Sequence, residues 1–328
     1  MNNPLAILIL LSPAFLWAQS YAPAAGEPGS TAIHFEDPLF KAWATAITVK
    51  RGYINIEDTT ASINGNQRAS FGSPALALSK ATGNTADVVS LGDKGVATMT
   101  FDLPLKNGPG FDFAVFENSF SDTYLELAHV EVSSDGIHFV RFPSHSEVQD
   151  DVQIHGFGTT DPTMVYNLAG KYRAGYGTPF DLEEIKDSAA LDMNNITHIR
   201  VIDAIGSVGD SATFDAYGNK INEPFSTPYE SGGFDLEAVG VINQIADIER
   251  EFINPFKIYP NPSEGQFYLR GPLEEMNKML ITSVEGKTVR KIALKPNQKK
   301  LSIHLPQGVY LLHYSYHGVM RSSKIIIR

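Results

Sequence analysis

Six oxygen-bearing residues are the first candidates for chemistry in this chain. Glu117 and Asn118 close one apolar run, and Asp203 comes late in another. Asp235 and Glu237 stand two apart in a third, so strand alternation puts both on one face, with Phe234, Leu236 and Ala238 on the other, toward a core. Asp215 lies in the polar stretch 206–233, with Asp210 and Asn219 nearby. Hard oxygen ligands from loops and strand ends are what Ca²⁺ takes, six to eight at a time. Glu117, Asn118, Asp203, Asp215, Asp235 and Glu237 are therefore the candidate metal ligands, with calcium as the candidate cofactor. They have no EF-hand spacing. The competing expectation is that Asp203 and Asp235 accept backbone hydrogen bonds or pair with Arg200 or Arg141, the others being solvated.

Two carboxylates from Glu117, Glu126, Glu131, Asp235 and Glu237 could serve glycoside hydrolysis, which needs them roughly 5–10 Å apart. Nothing in the sequence fixes that separation, so no catalytic residue is assigned. There is no Gly-x-Ser-x-Gly elbow and no His-Glu-x-x-His. His129, His138, His145 and His155 match no zinc-ligand spacing and read as ordinary histidines. Tyr166, Tyr172, Tyr176 and Phe180, with Tyr217, Phe225 and Tyr229, lie in long Gly-rich or polar segments. They either offer flat faces to sugar rings or flat cofactors, or pack their own loops down.

The elements that must position these residues are short strands. His129–Ser133 and Ile137–Phe142 alternate on a two-residue period around Asp135-Gly136, a strong hairpin signal. Strands are also expected at Val49–Glu57, Val88–Leu91, Ala97–Leu103, Phe111–Phe116, Thr197–Ile205 and Phe234–Asn243. A short helix with Phe40 and Trp43 as anchors is expected in Ala32–Ala46, a long surface connection at 58–87, and a helical turn or two in Pro179–Asp187. Many short strands between turns point to an all-β sandwich.

The 328 residues contain no cysteine, which excludes disulfides, thiolate metal sites and cysteine nucleophiles. Residues 1–250 hold 14 Lys and Arg against 32 Asp and Glu, whereas residues 251–328 hold 12 against 5. An acidic body argues against nucleic acid as a partner. The apolar run Pro4–Ala18 is too short to span a bilayer and suits a signal peptide, residues 1–18, cleaved near Ala18. No later stretch reads as a transmembrane helix. The composition changes at Ile248–Pro255, giving a body at 19–248, a linker at 249–255 and a second unit at 256–328 with about seven short strands.

That second unit resembles the C-terminal sorting domain of proteins exported by the type IX secretion system of Bacteroidota. The resemblance rests on Ile258-Tyr259-Pro260-Asn261-Pro262, Gly265, Phe267, Glu285-Gly286-Lys287, Gly308-Val309-Tyr310 and the closing run Lys324–Arg328. It implies an immunoglobulin-like sandwich, a partner in the type IX machinery, and export across both membranes to the cell surface or the medium. Val130-Glu-Val-Ser-Ser-Asp-Gly136, with Phe139 and Arg141, resembles the central hairpin of galactose-binding-like jelly rolls, which often carry calcium. Phrases such as Asp112–Phe120 and Gly232–Ile242 resemble a family of secreted bacterial cell-surface proteins, which implies architecture alone. The expectation is an all-β chain, a jelly-roll-like body followed by the sorting domain. Its leading function is non-catalytic binding of a glycan or small nutrient ligand. A polysaccharide hydrolase using carboxylates near Glu117 and Asp235 is the alternative, and a structural adhesion component a third class.

Overall fold

The computed structural model describes residues 21–245, 256–271, 278–284, 286–295, 297–316 and 319–328. The expected signal peptide and the linker at 249–255 lie outside the described residues. The chain divides into two compact units, Met1–Ile245 and Ala246–Arg328.

In the first unit, one antiparallel sheet contains β1 (Ile33–His34), β2 (Ala42–Trp43), β4 (Val89–Ser90), β6 (Phe113–Glu117), β11 (Tyr176–Phe180) and β13 (Asp235–Val241). The other contains β3 (Ala46–Lys50), β5 (Val96–Leu105), β7 (Ala128–Ser133), β8 (Val140–Arg141) and β12 (Ile196–Asp203). A small separate pair joins β9 (His145–Ser146) to β10 (Val165–Tyr166). The sheet orders are β1-β11-β6-β13-β2, with β4 also on β13, and β3-β5-β12-β7-β8. From β4 onward, setting aside the separate β9–β10 pair, the chain crosses between sheets at each step except the β7–β8 hairpin, giving β4-β13-β6-β11 facing β5-β12-β7-β8. That is the strand order of a jelly roll, two Greek keys closed face to face.

Alternation explains how these strands pair their faces. Ala97 and Met99 from β5, Val130 and Val132 from β7, and Ile199 and Val201 from β12 are buried in the core. Phe113, Val115, Leu236, Val239 and Val241 meet them from the other sheet. Phe113 and Phe180 stack and Phe142 meets both edge-on, with ring centroids 5.1–5.8 Å apart, each full burial stabilising by about 1.5–3 kcal/mol. A β-bulge between Leu236 and Ala238 changes the phase of β13. Ala238 therefore joins Ala114 and Phe116 in a separate outer cluster, where simple alternation placed it in the core.

Ala32–Ala46 forms no helix. It gives two-residue strands instead, because Pro38 interrupts it and β2 is held by β13. Phe40 and Trp43 are anchors nonetheless, with ring centroids 5.5 and 5.4 Å from Phe116. The strand expected at Val49–Glu57 lies earlier, at Ala46–Lys50, and only Val140–Arg141 of Ile137–Phe142 is strand. Pro179–Asp187 divides into the end of β11 and a 3-10 turn, Leu182–Ile185, capped by Asp181.

The second unit has two antiparallel sheets of its own. One joins β14 (Lys257–Tyr259), β15 (Gln266–Arg270) and β18 (Lys300–Ser302); the other, in the order β17-β16-β19-β20, joins β16 (Lys278–Ser283), β17 (Thr288–Ala293), β19 (Gly308–Tyr316) and β20 (Val319–Ile327). Phe267, Met279, Ile281, Leu312, Tyr314 and Ile325 fill its core. Asn261 ties the proline corner to β20: its Nδ2 donates to the Lys324 carbonyl at 2.7 Å, and its Oδ1 accepts from the Ile326 N–H at 2.9 Å. Gly265 has φ +92°, and a Cβ there would meet the Ile303 carbonyl oxygen at 2.2 Å. Among the described residues, no helix is long and apolar enough to cross a membrane.

Candidate functional site

Glu117 ends β6 and Asp235 begins β13, and the register that pairs Leu236 with Glu117 brings these two carboxylates to the same end of the first sheet. Ser90 of β4 is the cross-strand partner of Asp235. The segment after β6 then turns back on itself through its serines. Ser119 N–H donates to Glu117 Oε2 at 2.7 Å, and Ser121 Oγ accepts from Tyr124 N–H at 2.9 Å. This local bonding is what Ser and Asn offer a loop in place of a ladder. It leaves Phe120 70% exposed and brings Tyr124 and Glu126 inward.

A second segment, 227–233, closes the other side. Gly232 N–H donates to the Tyr229 carbonyl at 3.0 Å. Gly233 has φ +70°, and a Cβ there would stand 2.7 Å from Asp203 Oδ1. Asp203 fixes this turn, accepting from Phe234 N–H at 2.7 Å and from Lys94 N–H at 2.8 Å.

Between the two segments lies a cavity of about 420 Å³, inside the usual range for small-ligand sites. Its floor carries Asn118, Glu126 and Asp235, and its walls carry Phe120, Tyr124, Phe157 and Tyr229. Phe120 stacks on Tyr124 with centroids 4.7 Å apart, and Phe157 lies 6.0 Å from Tyr229. Phe157 and Tyr229 are 67% and 46% exposed, so with Phe120 three aromatic faces stand open to solvent above an acidic floor, and Tyr124 backs Phe120 from within.

The floor is electrostatically unusual. Asn118 Nδ2 donates to Asp235 Oδ2 at 3.1 Å and to the Thr85 carbonyl at 2.8 Å. Glu117 Oε1 and Asp235 Oδ1 are buried without a hydrogen-bond partner. Burial raises Glu117 well above the usual carboxylate range, and the charge of Asp235 adds to it. Burial does the same to Glu126, with Asp235 and Glu117 contributing. Asp235 is pushed up to about 7 by burial, against the pull of Ser90, Asn118 and Arg51. Beneath them Asp203 and Glu223 are also raised, by burial first and by neighbouring carboxylates next.

The six expected ligands do not form one centre. Glu117, Asn118 and Asp235 come together. Asp203 is close enough to act on Asp235 electrostatically, but both its oxygens accept backbone N–H groups. Glu237 turns to another segment, its Oε1 accepting from Thr82 and Gly83 N–H at 2.7 and 2.6 Å. Asp215 sits beside β9, its oxygens taking Ser146, Tyr217 and Asn219 N–H groups at 2.8–2.9 Å. Among the described residues, no three His, Cys, Asp or Glu side chains are placed to hold a metal ion. The donor set therefore does not fit a calcium held by all six.

Arg141 and Arg200 pair with neither Asp203 nor Asp235. Both hold Glu131, with Nε–oxygen distances of 2.9 and 2.6 Å, and Glu131 is buried. Of the loop aromatics picked out by composition, only Tyr229 reaches the cavity. Tyr172 and Phe180 are core residues, and Tyr166 stacks on Tyr21 at 5.0 Å. Phe120 and Phe157 were missed. Their signal was an isolated aromatic in an otherwise Ser-, Asp- or Gly-rich loop, where nothing local needs it.

A second cavity, of about 410 Å³, lies against Lys94, His129, Arg141 and Asp210. His129 is buried and driven down to about 3, first by burial and then by Arg141, so it is neutral. This cavity mixes charges of both signs and has no aromatic wall.

Residues 257–328 match the family model described as a secretion system C-terminal sorting domain. The second unit is thus a type IX sorting domain, and it indicates secretion to the cell surface or exterior through the type IX machinery. No curated protein sequence matches the chain significantly. Among solved structures, the chain is similar to a biofilm-associated protein BSP domain at 12% identity and TM-score 0.20, over 71% of this chain and 48% of that one. It is also similar to a β-glucuronidase from Ruminococcus gnavus at 10% identity and TM-score 0.19, over 72% and 35% of the two chains. A Parabacteroides merdae β-glucuronidase gives 13% identity and TM-score 0.22, over 94% and 36%. The chain spans less than half the length of each. Likeness at this level adds nothing to the fold read from the strand order.

Proposed function

We propose that the jelly-roll body is a binding module of the cell surface or medium, and that its ligand, a glycan or small nutrient, seats in the cavity between Phe120–Tyr124 and Phe157–Tyr229. The observation that carries this is the exposure of large aromatic faces around a polar floor, with Phe120 and Phe157 70% and 67% exposed. Such faces contact sugar rings by dispersion and CH–π packing, while Asn118, Glu126 and Asp235 supply hydrogen bonds that fix orientation.

The test is a glycan array probed with the full mature chain and with Phe157→Ala. The expected result is a set of hits that Phe157→Ala weakens about tenfold or more, the usual cost of losing an interface aromatic. Hits insensitive to Phe157→Ala, or no hits at all, count against the site.

A further inference from the structure

We infer that the ligand of this cavity carries a positively charged nitrogen beside a ring, an amine-bearing sugar rather than a neutral or acidic one. The inference rests on the binding site just described and narrows it.

Three observations point the same way. The floor residues Glu126 and Asp235 are only 6% and 5% exposed, and Glu117, 1% exposed, acts on both. No Lys, Arg or His lines the cavity. Arg51, whose field reaches Asp235, directs its guanidinium to the carbonyl oxygens of Phe71, Gly72 and Ser90 instead.

On the floor itself, Asp235 Oδ1 is buried without a hydrogen-bond partner. An unpaired buried carboxylate is costly until a donor or a cation reaches it. An ammonium supplies three donors and the charge, and it has no acceptor to waste. The aromatic walls suit the same group, since Tyr and Phe faces attract a cation within about 6 Å of the ring centroid. A uronate or sulfated sugar would bring like charge onto the floor and is disfavoured for that reason.

Proton linkage adds a signature. The groups around the floor are Glu117, Glu126, Asp235, Asp203, Glu223, Tyr124 and Arg51, and burial raises all five carboxylates. An ammonium favours their charged forms, so it releases protons as it binds.

The experiment is isothermal titration of the full mature chain at pH 6.5 with a glucosamine tetramer and with its N-acetylated counterpart, two ligands with the same rings and linkages. The expected result is at least tenfold tighter binding of the amine form, with proton release detected by repeating the titration in buffers of different ionisation heat. Glu126→Gln and Asp235→Asn should each reduce that preference several-fold, weakening the amine form more than the acetylated one, and Phe120→Ala should weaken both ligands alike. Equal affinity of the two tetramers overturns the charge inference and leaves the binding site standing. A preference that survives both carboxylate variants overturns it as well, placing the effect in the acidic surface at large. Absence of binding by either tetramer, with an empty array, overturns both.

Discussion

Asp235→Asn should change how stability depends on pH, by an amount that the burial of Asp235 sets. Its carboxyl is pushed up to about 7 in the folded chain, from an unfolded value of 3.8. A carboxylate raised in the folded state binds protons more tightly there than in the unfolded chain. Its cost is therefore absent below the unfolded value and grows as pH rises toward the folded one. With these two values the cost is about 2 kcal/mol at pH 5 and rises by roughly 2–3 kcal/mol by pH 8. Asparagine keeps the shape but does not titrate, so the variant gains that difference over the native chain between pH 5 and 8. The constant effect of the substitution cancels in the comparison. Urea unfolding of residues 19–328 followed by Trp43 fluorescence reads the body, because that chain lacks Trp17 and residues 256–328 contain no tryptophan. Trp43 packs on Phe116 in the same sheet as Asp235, so its emission reports the relevant unfolding. A variant-minus-native difference that stays flat from pH 5 to 8, or shrinks as pH rises, refutes the claim that burial raises the Asp235 carboxyl.

Other substitutions probe different parts of the chain. Removing residues 256–328 should leave the body in the periplasm, which fractionation and immunoblotting would show; secretion of the truncated chain would contradict the role of the sorting domain. Arg200→Ala strips Glu131 of one of its two arginines and should cost about 1–3 kcal/mol in urea unfolding, since the carboxylate stays buried with less support. Gly233→Ala places a Cβ 2.7 Å from Asp203 Oδ1 at φ +70° and should both destabilise the body and weaken glycan binding, because that turn carries Tyr229. Calcium and a chelator should leave the thermal midpoint of the body unchanged; a rise of several degrees would show ligands converging in a way the described residues do not.

The sequence made some features legible because local physics determines them. The Asp135-Gly136 turn, the alternation of β5, β7 and β12, and the ordered motifs of the sorting domain all sit within a few residues of their cause. Asn261 and Gly265 also have structural reasons to stand where they do, one bonding β20 through both its side-chain atoms and the other leaving room for the Ile303 carbonyl. What could not be read was anything decided by long-range pairing. The bulge in β13 moved Ala238 to the outer face, and cross-strand pairing made strands of a segment that reads as a helix around Phe40 and Trp43. The same limit applied to the site. Glu117, Asn118 and Asp235 meet because β6 pairs with β13, but Asp215 and Glu237, the latter a near neighbour of Asp235 in sequence, bond to other segments. Phe120 meets Tyr124 locally, but Phe157 meets Tyr229, and both come to face Phe120, only once the 118–127 and 155–158 segments fold against 227–233.

The most direct test of a ligand seated between the two aromatic pairs is fluorine NMR of the mature chain with fluorotyrosine at its tyrosines, assigned by Tyr→Phe variants, before and after adding the strongest glycan from the array. Tyr124 and Tyr229 line the cavity, whereas Tyr166 and Tyr217 do not. The expected result is a shift of the Tyr124 and Tyr229 resonances with Tyr166 and Tyr217 unmoved. Movement at Tyr166 or Tyr217, with Tyr124 and Tyr229 silent, would contradict the account and move the binding site to the β9–β10 side of the body.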